Sequence, residues 1–310
     1  MKTFHDISSF ETKEKTFVTI GTFDGVHFGH KEIIHKLVAD AKLAGKKSVL
    51  LTFFPHPRMV LQKDASISLI NTIEERTALL AKTGLDSLII HPFSKAFSRL
   101  TALDFVRDLL VAQLNISKLI IGYDHHFGKN REGNITQLTE YSHTFGFSVE
   151  EIPAQDIDNV SVSSTKIRRA LAAGNLKTAN QYLGNPFMLS GKVVNGKKLG
   201  GKIGFPTANI EILEDYKLIP KTGVYVVKST INNTTLFGMM NIGNRPTVSG
   251  THQTIEVHFF DYNNDLYNAF LTIELLFFLR EEHKFDSVDD LVLQLKEDEK
   301  IARNFIEKEC

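Results

Sequence analysis

Two histidines, His27 and His30, stand three residues apart at the end of a glycine-rich stretch, Gly21-Thr22-Phe23-Asp24-Gly25-Val26-His27-Phe28-Gly29-His30. The stretch follows a short apolar run and leads into a helical pattern from Lys31 to Ala44. A strand-to-helix turn of this composition brings backbone N–H groups and a helix N-terminus towards a ligand, which favours phosphate. The spacing lets both imidazoles share one helix face. Beside a triphosphate they can donate hydrogen bonds to its oxygens and offset the charge that builds up as the α-phosphorus is attacked. Two other readings stay open. The pair could be zinc ligands, although a third ligand is then needed and no cysteine is available, or simply polar residues near a helix start.

A second basic cluster, Ser163-Ser164-Thr165-Lys166-Ile167-Arg168-Arg169, opens a helical pattern further along. Its hydroxyls are ordinary N-cap residues. Its cations are more informative, because the helix dipole disfavours positive charge in a first turn unless an anion binds there. A solvated basic face is the alternative. Two more segments follow apolar runs: Phe53-Phe54-Pro55-His56-Pro57 and Gly122-Tyr123-Asp124-His125-His126-Phe127-Gly128-Lys129-Asn130. Either alone reads as a loop; together, four strand-end loops carrying His, Asp, Asn and aromatics point to a site.

The C-terminal third carries a different chemistry. Gly191-Lys192-Val193-Val194-Asn195-Gly196-Lys197-Lys198-Leu199-Gly200-Gly201-Lys202-Ile203-Gly204-Phe205-Pro206-Thr207-Ala208-Asn209 mixes glycines with lysines. Glycine permits close backbone approach and lysine suits polyphosphate, so Gly191, Gly196 and Gly204 are candidate phosphate contacts; a flexible hairpin is the competing reading. Thr207 and Asn209 offer neutral oxygens suited to placing a hydrated Mg²⁺. Transfer of a phosphoryl group to a hydroxyl also calls for a base, and Glu256 is a candidate; without further support it would be an exposed strand carboxylate.

These residues need two kinds of scaffold. In the first half, Phe17 to Ile20, Ser48 to Phe53, Leu88 to Ile90, Leu119 to Ile121 and Phe147 to Ile152 read as buried parallel strands. Helical patterns lie between them, with Leu103, Val106, Leu110 and Leu114 on one face and capping boxes at Thr101/Asp104 and Thr72/Glu75. That alternation predicts a doubly wound α/β sheet. Helical stretches at Thr165–Ala173 and Leu176–Tyr182 lead to a turn at Gly184-Asn185-Pro186. Beyond it, Gly223 to Ser229, Leu236 to Ile242, Thr254 to Phe259 and Leu271 to Phe278 read as strands of an antiparallel barrel or sandwich, closed by a helix starting near Ser287. Two domains are expected, residues 1–183 and 184–310.

Lys plus Arg (36) equals Asp plus Glu (36), so phosphate recognition must come from local arrangement, and no nucleic-acid partner is expected. The one cysteine, Cys310, excludes an intramolecular disulfide. Met1 to Lys15 lacks a signal-peptide core and no apolar run reaches membrane-spanning length, so a cytoplasmic protein without membrane partners is expected.

The block Gly21 to His30 and the run Ser163 to Arg168 resemble the two signatures of the nucleotidyltransferase superfamily. With Pro55-His56-Pro57 and Gly122 to Gly128, the first half is similar to the prokaryotic bifunctional riboflavin kinase/FAD synthetase family. The second half carries Gly204-Phe205-Pro206-Thr207-Ala208-Asn209, Gly223-Val224-Tyr225, Asn241 to Thr247, Glu256-Val257-His258 and Arg280-x-Glu282 followed by Phe285, in the order that resembles the flavokinases. The resemblance implies riboflavin, FMN, FAD and ATP as ligands, with Mg²⁺, and a six-stranded barrel for the kinase. It implies that His27 and His30 bind ATP phosphates and stabilise the transition state, with Gly21, Phe23, Gly29 and Asn130 near the nucleotide. Ser164, Thr165 and Arg168 would hold the leaving pyrophosphate. Pro55, His56, Asp124 and Arg280 would line flavin sites. Thr207 and Asn209 would hold Mg²⁺ with ATP phosphates, and Glu256 would take the riboflavin hydroxyl proton. Thr22, Gly201 and Asn268 depart from the family's usual Asn, Arg and Gly; the last two could lower kinase activity without changing the fold. A chain with one active domain, or a flavin- or nucleotide-binding regulator, would share many of these residues.

Overall fold

The apolar runs of the first half become the strands of one parallel sheet. In chain order these are β1 (Lys2–Phe4), β2 (Thr16–Ile20), α1 (Phe28–Leu43), β3 (Lys47–Phe54), α2 (Pro57–Leu61), α3 (Ile73–Ala81), β4 (Ser87–Pro92), α4 (Ala102–Asp104, running on as a π-helix over Phe105–Gln113), β5 (Ile116–Gly122), α5 (Ile135–Phe145) and β6 (Ser148–Ile152). Two short strands, β7 (Asp156–Ile157) and β8 (Val160–Ser161), pair with each other. The computed structural model describes residues 1–62, 67–123, 125–154, 156–157, 160–196, 199–247 and 250–310, with side chains at all of these except 156, 160, 199, 202, 245–247 and 250–252. Asp124 lies outside the described residues.

The strand order is β1-β4-β3-β2-β5-β6, every neighbouring pair parallel. From β2 the chain moves one way through β3 and β4, then returns to the other side of β2 for β5 and β6. The order therefore reverses between β2 and β5, and in such sheets ligands bind outside the strand ends at that point. Val18, Val49, Leu50, Leu51, Leu88, Ile89, Leu119 and Ile120 are all fully buried. Apolar residues on consecutive positions rather than alternate ones mean that both faces are covered. The expected capping box at Thr72/Glu75 is present in full. At Thr101 the hydroxyl caps Asp104 N–H at 3.1 Å. Strand β1 was not expected; it is three residues long and mostly exposed, too short for a periodic signal.

The chain divides into compact units Met1–Ser164 and Thr165–Cys310. Helix α6 (Ser164–Ala173) therefore starts at the division, and α7 (Leu176–Leu183) belongs to the second unit. Hydrogen bonds give the reason that the division precedes the turn at Gly184. Asn180 on α7 donates to Leu275 O at 2.9 Å and accepts from Phe187 N at 2.8 Å, and Lys221 N donates to Leu171 O at 3.1 Å.

The second unit continues with β9 (Phe187–Val194), α8 (Leu199–Lys202), β10 (Ala208–Glu211), β11 (Gly223–Ile231), β12 (Thr234–Thr247), β13 (Gly250–Phe259), β14 (Phe270–Arg280) and α9 (Val288–Glu309). Six of these strands close into an antiparallel barrel in the order β10-β13-β12-β11-β14-β9. The glycine- and lysine-rich segment is the connection of the β9–β10 hairpin, whose register pairs Val194 with Asn209. Inward residues alternate as expected: Ile255, Val257 and Phe259 on β13 are buried, as are Met240 and Ile242 on β12. On the outer face, Val224, Val226, Met239 and Phe260 pack against Ala302, Phe305 and Ile306 of α9. Asn268 has φ +64°, a left-handed position that asparagine adopts more readily than most residues, so this departure from glycine preserves the turn.

Candidate active sites

In the first unit, the loop after β2 is built from the inside. Asp24 is buried, and its carboxylate accepts from Ile70 N (3.0 Å) and Asn71 N (3.2 Å). Arg76, also buried, lies 3.9 Å from the same carboxylate. Phe23, Gly25 and Val26 all have positive φ, and Phe23 and Val26 are buried, so the loop is coiled tightly onto the end of the sheet. The result delivers His27 as the N-cap of α1, its Nδ1 accepting from His30 N at 3.4 Å. An accepting Nδ1 leaves the other ring nitrogen, Nε2, to carry the proton of neutral His27. The two imidazoles stack at 3.5 Å between centroids and 15° between planes, and Phe23 packs on His30 at 5.0 Å.

Nδ1 of His30 is buried and has no hydrogen-bond partner among the described residues. Burial, reinforced by His27 and Arg76, holds this imidazole well below the ordinary histidine range. Lys31, half-buried beside it, is also held below the ordinary lysine range by burial. Both shifts favour the uncharged form, and a polyphosphate at this helix start would favour the charged one. Asp24 and Arg76 are the residues that sequence reasoning missed here; the signal was an acid inside an otherwise apolar and glycine loop.

The second signature reaches the first through Ser164, whose hydroxyl donates to Asp24 O at 2.9 Å. Arg168 lies one helical turn further along α6, half-buried, and Thr165 is exposed. Gly21 begins the loop and donates to Leu51 O; Gly29 is in the first turn of α1. Among the other strand-end residues, His56 caps α2, accepting from Arg58 N at 3.1 Å, directly after Pro55. Asn130 sits at φ +54° in the turn Lys129–Arg131 after β5. In the same loop, Nε2 of His125 is buried without a partner among the described residues.

The second unit assembles its polar groups on the outer face of the barrel. Register pairs Glu256 on β13 with Asn209 on β10 and with Asn241 on β12, so the three side chains form a row across adjacent strands. Thr207 stands two residues before Asn209, and its hydroxyl donates to Glu256 Oε2 at 3.2 Å. The turn preceding it needs glycines. Gly204 has φ +87°, and Phe205 N closes back onto Gly200 O at 2.9 Å, ending α8 in a Schellman-type cap. A Cβ on Gly196 would come within 2.0 Å of the Asn209 amide, so glycine there lets Asn209 lie against the backbone. Gly191 has a packing reason: a Cβ would approach Glu211 O to 2.5 Å inside the β9–β10 pair.

Two clefts meet at Thr207. The larger, of about 310 Å³, is lined by Thr207, Asn241, Glu256, Arg280, Glu282 and Phe285 among others. The smaller, of about 200 Å³, is lined by Pro206, Thr207, Tyr262, Asp265 and Tyr267 among others. Arg280 is held from within: Nε and Nη2 donate to the buried Asp298 of α9 at 2.7–3.0 Å, and Nη1 donates to Glu281 O at 3.0 Å. Glu282 places a carboxylate oxygen over Gly243, 2.4 Å from where a Cβ there would lie. Asn241 and Glu282 stand in motifs quoted from the sequence but were given no role there, and Asp298 was not singled out at all. Strand register and the fold of α9 onto the barrel bring them to the site, and neither is a local signal.

A parallel sheet with a histidine pair at its switch point and a barrel with a carboxylate lining the larger of two clefts fit a two-domain nucleotide-dependent transferase. A family model described as FAD synthetase matches residues 9–166, and one described as riboflavin kinase matches residues 183–306. The chain is 38% identical to the bifunctional riboflavin kinase/FMN adenylyltransferase of Listeria monocytogenes, over 98% of this chain and 97% of that one. It is 36% identical to the protein of the same name from Escherichia coli K12, over 97% and 96%. A crystal structure from Streptococcus pneumoniae titled macrolide-efflux protein shares the fold at TM-score 0.90 and 32% identity, covering 97% of this chain and 98% of that one. The chain belongs to the bifunctional riboflavin kinase/FMN adenylyltransferase family. Members draw on ATP, generally with a divalent metal. Among the described residues no helix is long and apolar enough to cross a membrane.

Proposed function

We propose that the chain converts riboflavin to FAD in two ATP-dependent steps, with residues 184–310 phosphorylating riboflavin and residues 1–183 adenylylating FMN. The observation that carries this reading is the meeting of two clefts at Thr207, with Glu256 in one of them. A phosphoryl donor and an acceptor hydroxyl must come together at one point, in line, beside a group that orients the nucleophile. In the larger cleft the Glu256 carboxylate accepts the proton of the riboflavin 5′-hydroxyl as its oxygen attacks the γ-phosphorus, and ADP leaves. The oxygens of Thr207 and Asn209, next to the Glu256 carboxylate, are hard donors that fit Mg²⁺. When bound, that ion would offset polyphosphate charge. Gly196 and Gly204 keep the backbone low over the phosphates, and Arg280 with Glu282 frames the flavin end.

In the first unit an FMN phosphate oxygen attacks the α-phosphorus of ATP, and pyrophosphate leaves. His27 and His30 donate hydrogen bonds to the oxygens that gain charge, Gly21, Phe23 and Gly29 shape their loop, and Asn130 borders the nucleotide. Ser164 holds the departing pyrophosphate, and Pro55 and His56 border the flavin.

The test is a time course. Purified protein is incubated with riboflavin, ATP and Mg²⁺, and the flavins are separated by chromatography. FMN rising first and FAD following is the expected result. Unchanged riboflavin, with FAD formed only when FMN is supplied, would reduce the protein to an adenylyltransferase; no product from either flavin would refute both activities.

A further inference from the structure

Strand β13 presents two side chains on its outer face beside the cleft, Glu256 and His258, and only the first has a part in the chemistry above. His258 Nδ1 lies 2.8 Å from Pro206 O. A carbonyl oxygen only accepts, so Nδ1 carries the proton and donates. The ring is wedged edge-on between Phe205, at 5.3 Å, and Phe260, at 5.9 Å, which fixes its orientation. Successive outward residues of one strand thus grip successive residues of one loop: His258 holds Pro206, and Glu256 takes the hydroxyl of Thr207 at 3.2 Å.

The bonded carbonyl belongs to the peptide that joins Pro206 to Thr207. Peptide planarity means that fixing this oxygen also fixes the N–H of Thr207 and the start of its side chain. Proline contributes a fixed φ but no donor, so Pro206 has no N–H of its own with which to anchor the segment. The glycine turn presses on the same place, since a Cβ on Gly200 would sit 2.2 Å from Phe205 O and 3.5 Å from Thr207 Oγ1. Pro206 lines the smaller cleft, His258 the larger, and Thr207 both. The His258–Pro206 bond therefore lies in the partition between them.

We infer that His258 is a positioning residue of the kinase site. It fixes the Pro206–Thr207 peptide so that Thr207 meets nucleotide phosphates at the junction of the two clefts. This rests on the kinase reading of the barrel, and the experiment separates the two. Wild-type protein is first assayed for FMN formation; no FMN there fails the kinase reading itself. With wild-type activity in hand, His258→Leu removes the donor and keeps the bulk, and His258→Asn restores a donor near the Nδ1 position. His258→Leu is expected to raise the KM for ATP in FMN formation by about tenfold, the value of one hydrogen bond. The KM for riboflavin and the quenching of riboflavin fluorescence on binding should stay within about twofold, and His258→Asn should recover most of the ATP affinity. A wild-type KM for ATP in His258→Leu would overturn the inference. So would equal loss in both variants, or loss of riboflavin binding in either, because the residue would then act in chemistry or in folding instead.

Discussion

His27 and His30 face each other as parallel rings 3.5 Å apart, a separation at which two imidazolium ions would repel strongly. Neutral rings tolerate that distance, and a bound polyphosphate would stabilise a proton on the pair. We expect His27→Ala with His30→Ala to lower FAD formation from FMN by a factor of about 100 to 1000, the usual effect of losing donors aimed at developing charge. FMN formation from riboflavin should persist in the same protein, and chromatography of both products checks this. Unaffected FAD formation would remove the pair from the chemistry.

Glu256→Gln keeps the shape of the side chain and its contact with Thr207 while removing the capacity to accept a proton. It should abolish FMN formation while leaving conversion of FMN to FAD intact, measured in separate single-step assays. Retained turnover from riboflavin would leave Glu256 as a spacer only.

The Arg280–Asp298 pair ties the last barrel strand to α9, and Gln294 completes it by donating to Asp298 at 2.8 Å. Removing one partner of a buried pair costs about 3–5 kcal/mol. Asp298→Asn should therefore lower the unfolding midpoint of the second unit and, if the larger cleft takes the flavin as proposed, raise the KM for riboflavin, because Arg280 lines that cleft. Calorimetry and initial rates would check the two effects together. An unchanged melting profile would show that the pair contributes nothing to stability.

Burial, aided by His126 and Arg131, pushes the His125 imidazole down to about 4. Below its ordinary value of 6.5 the unfolded chain takes up a proton that the folded chain refuses. Stability associated with this group is therefore full above pH 6.5 and lost as pH falls towards 4. His125→Phe should flatten the acid limb of the first unit's stability, by at most ~3 kcal/mol. Urea titrations at pH 7 and pH 4.5 on both proteins measure it; parallel losses would show that other groups set the acid limit.

Much of this was legible beforehand, for identifiable reasons. Val18, Leu50, Leu88 and Leu119 sit in runs that only a sheet covered on both faces can bury, and Ile255, Val257 and Phe259 alternate as a one-faced strand must. Thr72 and Glu75 were readable because a capping box is a local device. What escaped depends on distant segments. Asp24 has its meaning from backbone N–H groups at positions 70 and 71, and Asp298 from an arginine 18 residues earlier. The attachment of α7 to the barrel is likewise non-local, since Asn180 looks like part of an unattached helix until Leu275 and Phe187 receive its side chain.

Closing the barrel also bears on edge-to-edge association between sheets. A closed ring of strands has no row of unpaired N–H and C=O groups, so the second unit offers no template for edge-to-edge aggregation. The open sheet of the first unit keeps two such rims, β1 and β6. One is only three residues long, and the other carries Glu150 and Glu151 side by side. A brief rim and a charged one are the devices by which natural sheets discourage growth into fibres.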